Sequence, residues 1–220
     1  MDRARFVDFM RAKLASRPRG QRTTLIYIHG YNVDFNEAAI RAAQIGFDLK
    51  VDGETAFFSW ASKGDVQSYV ADGATIRASE VYLEAFIGTI LDNPAAERVD
   101  ILAHSMGNQA LLGVMERIRQ KRGAAAFNRI ANIILAAPDV DIDEFRQLAT
   151  VYPSVARRTT LYISSKDLAL KSSGLVNDYP RAGFMPPVMI MPGIDTVEVS
   201  DIDLTLLGHG YFAEANAVLY

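Results

Sequence analysis

The sequence predicts an α/β fold, a doubly wound, mostly parallel sheet of about six to seven strands with helices on both faces. Apolar, β-branched runs alternate along the chain with stretches of helical periodicity, as expected when each strand is followed by a crossover helix. Several of these runs, such as residues 133–137, are almost continuously apolar, which indicates strands covered on both faces. A third observation is an apolar run over residues 99–103 that leads into a serine and then directly into a helical pattern.

The alternation of patterns gives an order of elements. Strands are predicted at Thr24–His29, Thr55–Trp60, Val99–His104, Ile130–Ala136, Thr160–Ser164 and Thr196–Val199. Helices are predicted at Met1–Arg17, Asn36–Lys50, Val66–Leu91, Met106–Arg122, Asp143–Val151 and Gly210–Leu219. Asn36 is the predicted N-cap of the second helix, because its side-chain oxygen can accept an orphan backbone N–H. The proline- and glycine-rich residues Ser172–Gly193 are predicted to form a surface loop that shapes a substrate pocket.

Composition narrows the class of protein. The chain has 220 residues, half of them hydrophobic, and no long linker, so a single domain over residues 1–220 is predicted, with an N-terminal helix and turn in residues 1–20. A net charge of −3 with both signs interspersed gives no basic surface for a nucleic-acid partner. The absence of cysteine excludes disulfides, thiol nucleophiles and thiolate metal sites.

The hydropathy pattern bears on location. No segment approaches the ~20 uninterrupted apolar residues of a membrane-spanning helix, so no integral membrane segment is expected. The N-terminus begins with a charged amphipathic pattern, not the apolar core of a signal peptide. A cytoplasmic protein is therefore predicted for the chain as it stands, and a periplasmic or secreted location stays open if a signal was removed. The sequence does not indicate the oligomeric state.

Ser105 is the candidate nucleophile. It lies between the predicted strand Val99–His104 and the helix that begins at Met106, within the run Ala103-His104-Ser105-Met106-Gly107. A serine at such a strand-to-helix corner, a nucleophile elbow, projects its hydroxyl from a strained backbone. The helix N-terminus beside it favours developing negative charge. This pattern predicts nucleophilic catalysis by serine.

A serine nucleophile needs a base, and the chain has three histidines. His104 is adjacent to Ser105 in a strand, so its side chain should point to the opposite side. His29 ends the first strand, far upstream of the serine. His209 follows the last predicted strand, where a base can reach over the sheet edge, and it is the predicted base. The usual role of a lone histidine is structural, but elimination of the other two favours catalysis here.

Two aspartates could orient that base, since the order serine, acid, histidine places the acid between Ser105 and His209. Asp167 and Asp139 both follow predicted strands, at the edge where catalytic groups of open α/β sheets collect. Asp139 or Asp141 is well placed to cap the helix near Asp143, whereas Asp167 precedes only a short turn. Asp167 is therefore the preferred acid, and Asp139 remains the alternative.

The oxyanion of an acyl-transfer transition state needs preorganised donors. The first predicted donor is the backbone N–H of Met106, directly after the nucleophile. The second is the backbone N–H of Tyr31, in the loop His29-Gly30-Tyr31-Asn32, where Gly30 permits a tight turn. A His-Gly pair after a strand could equally be a simple turn, and its place upstream of a serine elbow favours the functional interpretation.

The order of strand, His-Gly loop, elbow, acid and base resembles the α/β-hydrolases, from Thr23 to Tyr220. Alanine replaces the usual first glycine of the elbow at Ala103, and this form is similar to small bacterial lipases. A narrower resemblance is to an uncharacterised bacterial branch of esterase/lipase-like proteins. It rests on His29–Asn32, Phe58–Gly64, Tyr69-x-x-Asp72, Leu135–Asp139 and Gly208–Phe212. The branch usually has Trp-Pro-Ser where this chain has Trp60-Ala61-Ser62. The resemblance implies a small α/β-hydrolase fold and a hydrolase of unassigned substrate.

The sequence thus predicts a serine esterase acting on a small-molecule ester, with short to medium acyl chains because no long apolar lid segment is present. The predicted catalytic residues are Ser105, Asp167 and His209, and no metal or organic cofactor is expected. Trp60 and Phe184 are the candidate substrate-binding residues, with Tyr31 and Met106 beside them, although Trp60 could equally be a core aromatic. An acyltransferase or a thioesterase or amidase on the same triad, and a non-catalytic binding module, are the alternatives.

Overall fold

In the described part of the chain, six parallel strands form one sheet in the order β2-β1-β3-β4-β5-β6. The computed structural model describes residues 2–123 and 127–199, apart from the side chain of Val66. The strands are β1 (Thr23–Ile28), β2 (Gly53–Phe58), β3 (Arg98–His104), β4 (Ile130–Ala136), β5 (Arg158–Ile163) and β6 (Asp195–Glu198). Each observed strand end lies within two residues of its predicted position, and the predicted α/β fold is confirmed.

Eight α-helices connect and cover these strands in the described part of the chain. They are α1 (Arg3–Ala15), α2 (Phe35–Asp48), α3 (Tyr69–Ala78), α4 (Glu80–Leu91), α5 (Gly107–Arg122), α6 (Ile142–Leu148), α7 (Tyr152–Val155) and α8 (Leu168–Asn177). Short 3-10 turns precede α3 at Val66–Ser68 and follow α6 at Ala149–Val151. Within the described ranges, none of the helices has the length and apolarity required to cross a bilayer.

Alternating strand residues build two apolar layers. Ile26 and Ile28 of β1 point into the larger core, where α1, α4, α5 and α6 pack, whereas Leu25 and Tyr27 point to the opposite face. There, Ile45 of α2 packs against them. The same alternation continues along β3, β4 and β5. This arrangement explains the nearly continuous apolar runs, because a strand covered on both faces needs apolar residues at every position.

Two predicted helix boundaries are wrong. The N-cap of α2 is Asp34, not Asn36: its carboxylate accepts the Glu37 N–H, and the Glu37 side chain accepts the Asp34 N–H in return. This reciprocal pair forms a capping box, which satisfies two backbone donors instead of one. The single helix predicted over Val66–Leu91 is divided at Ser79, whose hydroxyl donates to the Thr75 carbonyl at the end of α3. The predicted helix Gly210–Leu219 lies outside the described residues.

The predicted loop at Ser172–Gly193 contains the second half of α8. After this helix, residues 180–185 lie between the residues that follow β4 and β5, and they include a turn in which the Phe184 N–H donates to the Arg181 carbonyl. The Gly183 N–H donates to the Pro138 carbonyl at 3.0 Å, and the Ser164 N–H donates to the Gly183 carbonyl at 3.0 Å. The segment therefore lies at the carboxyl edge of the sheet, where the candidate catalytic residues are.

Candidate active site

Ser105 occupies the turn between β3 and α5 in a left-handed backbone conformation, with φ of 52°. This region is unfavourable for residues other than glycine, and a residue held there stores strain that is typical of functional positions. Met106 follows at the N-cap of α5, whose backbone N–H groups begin at this point. Ser105 itself is 2% exposed. The backbone therefore has the geometry of a nucleophile elbow.

Two glycines allow the loop after β1 to lie directly against this elbow. A Cβ on Gly107 would stand 2.6 Å from the His29 carbonyl oxygen, which is closer than real Cβ contacts. A Cβ on Gly30 would stand 2.8 Å from the Cβ of Ser105. Only a residue without a side chain permits either approach. The loop that carries Tyr31 is therefore in contact with the candidate nucleophile.

The imidazole of His29 orients this loop through a hydrogen bond to its backbone. Its Nε2 accepts the Trp60 backbone N–H at 3.1 Å, so the ring proton is on Nδ1, which donates to the Gly30 carbonyl at 2.8 Å. The N–H and C=O of a trans peptide point in opposite directions. Because the imidazole holds the Gly30 carbonyl, the N–H of Tyr31 points away from the His29 ring. Burial lowers the pKa of His29 from its ordinary value, which keeps the ring neutral and this tautomer in place.

Trp60 belongs to the same buried group. Its indole N–H donates to the His29 carbonyl at 2.9 Å, and its ring stacks on the imidazole with centroids 5.2 Å apart. It is 4% exposed and packs in the larger apolar core. The sequence allowed two interpretations of Trp60, a substrate-binding residue or a core aromatic, and its burial agrees with the second.

The loop after β2 is held by Asp72, a fully buried carboxylate on α3. The Ser62 hydroxyl donates to its Oδ2 at 2.7 Å, and the Lys63 N–H donates to its Oδ1 at 3.1 Å. Tyr31 packs edge-to-face on Tyr69, with ring centroids 5.4 Å apart. The first turn of α3 thus supports the loops after both β1 and β2.

Asp167 lies at the carboxyl end of the sheet after β5 and is fully buried. It is the N-cap of α8, since its Oδ1 accepts the Leu170 N–H at 2.9 Å. The expectation that Asp167 has little to cap is therefore wrong: the helix after it has ten residues. That signal was hidden because the proline- and glycine-rich composition of the following segment resembles a loop.

Asp139 lies after β4, and its partners are different. The hydroxyl of Tyr69 donates to its Oδ2 at 2.8 Å, and the hydroxyl of Ser173 donates to its Oδ1 at 2.5 Å. The guanidinium of Arg181 is 3.1 Å from Oδ1, and both members of this ion pair are at least 94% buried at their side chains. Asp139 does not cap α6, because Asp141 does so. Sequence reasoning did not find Tyr69, Ser173 or Arg181 as partners of this carboxylate.

The backbone of Asp139 connects this network to the elbow. Its N–H donates to the carbonyl of Ser105 at 3.2 Å, and its own carbonyl accepts from the Gln109 side chain at 2.7 Å. Ser105 and Asp139 are therefore neighbours at the ends of adjacent strands. The structure brings together the elbow, the Tyr31 loop and Asp139, and it places Asp167 at the next strand end along the sheet.

The remaining candidates are more distant or outside the described chain. Phe184 lines a groove of about 350 Å³ between α8 and the segment after it, with Leu175, Tyr179 and Pro186. The predicted base His209 lies outside the described residues. Within the described ranges, no group of three histidine, aspartate or glutamate side chains could hold a metal ion.

Comparison with known proteins identifies the family. A family of α/β hydrolases of unknown function (DUF900) matches residues 6–220. No curated protein matches the chain. Among solved structures, a protein from Listeria innocua is similar at 11% identity and a TM-score of 0.55, over 90% of this chain and 91% of that one.

Two other solved structures are similar over most of their length. A CIB-like hydrolase from Thermoplasma acidophilum shares 17% identity over 91% of this chain and 83% of that one, with a TM-score of 0.44. An esterase from Pyrococcus furiosus shares 14% identity over 81% of this chain and 73% of that one, with a TM-score of 0.44. The match over nearly the whole sequence shows that this chain belongs to the family of α/β hydrolases of unknown function.

Proposed function

We propose that this α/β hydrolase is a serine esterase, in which Ser105, His209 and Asp167 form the triad and a small carboxylic ester is the substrate. The observation that carries the proposal is the left-handed Ser105 at the corner between β3 and α5, with the Tyr31 loop packed on its Cβ. Strain at a serine in this position is characteristic of a nucleophile elbow. Membership of an α/β-hydrolase family supports a hydrolytic reaction.

The reaction has two halves. In the first, His209 takes the hydroxyl proton as Ser105 Oγ attacks the ester carbonyl carbon, and the tetrahedral intermediate then expels the alcohol, which receives that proton. In the second, His209 takes a proton from water as the water attacks the acyl carbon, and it gives that proton to Ser105 Oγ when the tetrahedral intermediate releases the carboxylic acid. Asp167 holds the imidazole in the required tautomer and stabilises the imidazolium.

Two backbone N–H groups would hold the oxyanion, those of Met106 and Tyr31. Met106 is supported by its place at the N-terminus of α5, where the helix dipole also favours negative charge. Tyr31 is supported by His29, which sets the plane of the peptide that carries its N–H. Such donors stabilise the transition state because they need no reorganisation when the charge develops.

The partners of Asp139 favour Asp167 as the acid. Asp139 accepts hydrogen bonds from the hydroxyls of Tyr69 and Ser173, one on each carboxylate oxygen, and forms an ion pair with Arg181. An imidazole N–H at Asp139 would share the carboxylate with all three of these partners, one of them a cation that already neutralises its charge. Asp167 Oδ1 accepts the Leu170 N–H in the cap of α8, a contact that fixes the direction of its carboxylate at the end of β5. A triad acid needs such a fixed direction, because its task is to orient the base.

The test is a panel of chromogenic acyl esters of increasing chain length, with matched thioesters and amides, assayed with wild type, Ser105→Ala and Ser16→Ala. Wild type should cleave short to medium esters fastest and react with a fluorophosphonate probe. Ser105→Ala should lose both activities, and Ser16→Ala, a change at the exposed end of α1, should retain them.

Two outcomes contradict the proposal. Ester hydrolysis that survives in purified Ser105→Ala removes Ser105 as the nucleophile. A wild type that cleaves thioesters or amides in preference to esters retains the nucleophile but overturns the ester substrate.

A further inference from the structure

Tyr69, the first residue of α3, has a hydroxyl in the middle of a polar network. It donates to Asp139 Oδ2 at 2.8 Å and accepts from the Asn177 side chain at 3.1 Å. The hydroxyl of Ser173 lies 2.6 Å away, and the Arg181 guanidinium lies 3.5 Å away. These partners come from the end of β4, from α8 and from the segment that follows α8. One phenol oxygen therefore joins three separate parts of the chain.

The ring of Tyr69 contacts the other side of the site. It meets the ring of Tyr31 edge-to-face, with an interplanar angle of 76° and centroids 5.4 Å apart. Aromatic pairs of this geometry contribute about 0.5–1.5 kcal/mol beyond the area they bury. Tyr31 follows Gly30 in the loop that packs on Ser105. Tyr69 is thus in contact with the residue that carries the proposed second oxyanion donor.

Helix α8 connects this contact to the proposed acid. It begins after its N-cap Asp167 at the end of β5 and ends at Asn177, which is bonded to Tyr69. Ten residues of α-helix extend about 15 Å, the width of about three strand spacings. The helix therefore crosses the carboxyl edge of the sheet from the acid towards the oxyanion loop, and Ser173 bonds to Asp139 on the way.

We propose that Tyr69 is a positioning residue that fixes the position of the Tyr31 loop relative to helix α8, whose N-cap is the proposed acid. This inference rests on the proposed function, because it assigns the oxyanion donor to Tyr31 and the acid to Asp167. The rigid phenol connects them: its ring packs on Tyr31, and its hydroxyl hydrogen-bonds to Asn177 at the end of α8. Without the hydroxyl, Asp139, Asn177 and Arg181 lose their shared partner and α8 is free to shift relative to the loop.

The charge state of the phenol suits this role. Burial and the nearby Asp139 carboxylate raise the pKa of Tyr69 above its ordinary value. The hydroxyl therefore remains protonated and continues to donate to Asp139 over the working pH range of an esterase.

Tyr69→Phe tests this connection, because it keeps the ring on Tyr31 and removes only the hydroxyl. Its matched control is Tyr82→Phe, the same change at a tyrosine of α4 that is 69% exposed. Three quantities are measured on the preferred ester: kcat, KM, and the inhibition constant of a trifluoromethyl ketone, which forms an oxyanion when Ser105 adds to it. The rate of fluorophosphonate labelling of Ser105 is measured in parallel.

We expect Tyr69→Phe to lower kcat about tenfold with KM almost unchanged, since small misplacements of catalytic groups have effects of this order or larger. The inhibition constant of the trifluoromethyl ketone should rise by about the same factor as kcat/KM falls. Labelling of Ser105 by the fluorophosphonate should become slower. A residue that only stabilised the fold would reduce the amount of folded enzyme, which lowers the apparent kcat but leaves the inhibition constant of the trifluoromethyl ketone unchanged. Tyr82→Phe should behave as wild type. If Tyr69→Phe does not fold, Asn177→Ala takes its place and should show the same pattern.

Wild-type kcat and labelling rate in folded Tyr69→Phe, or in Asn177→Ala as its substitute, overturn the inference. A rise in KM with unchanged affinity for the trifluoromethyl ketone also overturns it, since that pattern indicates a substrate contact. The proposed function fails separately: wild type would then neither hydrolyse esters nor be labelled at Ser105, and this inference would fail with it.

Discussion

The two sides of the candidate site are held by different kinds of interaction. On the nucleophile side, at the ends of β1 and β3, close backbone contacts decide the geometry, and Gly30 and Gly107 permit them. On the acid side, at the ends of β4 and β5, side chains far apart in sequence decide it, through the ion pair of Asp139 with Arg181 and its bonds to Tyr69 and Ser173.

This difference affects what each side tolerates. A close backbone approach that leaves no room for a Cβ fails with the addition of one methyl group, whereas a polar network fails when one charge loses its partner. The nucleophile side should therefore be sensitive to size, and the acid side should be sensitive to charge. Substitutions that change only one of these properties test the comparison.

The largest effect is expected from removal of charge at the acid. Asp167→Asn should lower kcat by about 10⁴, the loss seen when a triad aspartate is replaced by its amide. Asparagine caps helices as well as aspartate does, so α8 should keep its cap and the loss should reflect the charge. The measurement is kcat at the pH optimum for folded protein, with Asp8→Asn on the exposed face of α1 as control.

Asp139→Asn decides between the two aspartates. It should reduce kcat far less than Asp167→Asn, because the proposed acid is Asp167 and Asp139 is bonded to Tyr69, Ser173 and Arg181. A loss of about 10⁴ in Asp139→Asn alone would transfer the acid role to Asp139 and overturn the assignment of Asp167.

The second effect concerns stability on the same side. Asp139→Ala leaves Arg181, which is 6% exposed, as a buried cation without its carboxylate. Loss of one partner of a buried pair costs about 3–5 kcal/mol of unfolding free energy. Urea unfolding gives this value, and Asp143→Ala, which breaks an exposed pair with Arg146, should cost less than about 1 kcal/mol. Equal losses in the two variants would show that the buried network contributes little.

The sequence was informative where the structure depends on neighbours in the chain. The strands, the serine corner after β3 and the tight turn at Gly30 follow from apolar runs and small residues at adjacent positions. The bonds of Asp139 to Tyr69 and Ser173 span 70 and 34 residues. Nothing in the local pattern predicts them, because they depend on how α3 and α8 are placed on the sheet. The helix α8 was not predicted because the proline- and glycine-rich residues that follow it made the whole segment resemble a loop.

The third prediction tests size on the nucleophile side. Gly107→Ala places a Cβ against the His29 carbonyl, and overpacking of this kind costs about 1–3 kcal/mol. Activity should fall too, because the elbow moves. Gly73→Ala is the matched control: its Cβ would meet only the Arg77 side chain, at 4.0 Å, and alanine should stabilise helix α3 by about 0.5–1 kcal/mol. Thermal unfolding of both variants checks the sign of each change. Destabilisation of Gly73→Ala would show that the space around the added Cβ does not decide the stability of these variants.

The smallest effect is a pH dependence that arises from His29. Its pKa is lowered in the folded protein, chiefly by burial, whereas the unfolded chain should titrate near the ordinary value of about 6.5. Below that pH the unfolded state binds a proton that the folded state does not, so stability is present above about pH 6.5 and falls as the pH is lowered through it. One proton gives a slope of at most about 1.4 kcal/mol per pH unit.

His29→Gln should lower stability at neutral pH, because the bond to Trp60 is lost, and should also flatten the slope between about pH 5.5 and 7.5. Since the other histidines are present in both proteins, the difference between the two curves isolates His29, and parallel curves would show that its imidazole is not held neutral by the fold.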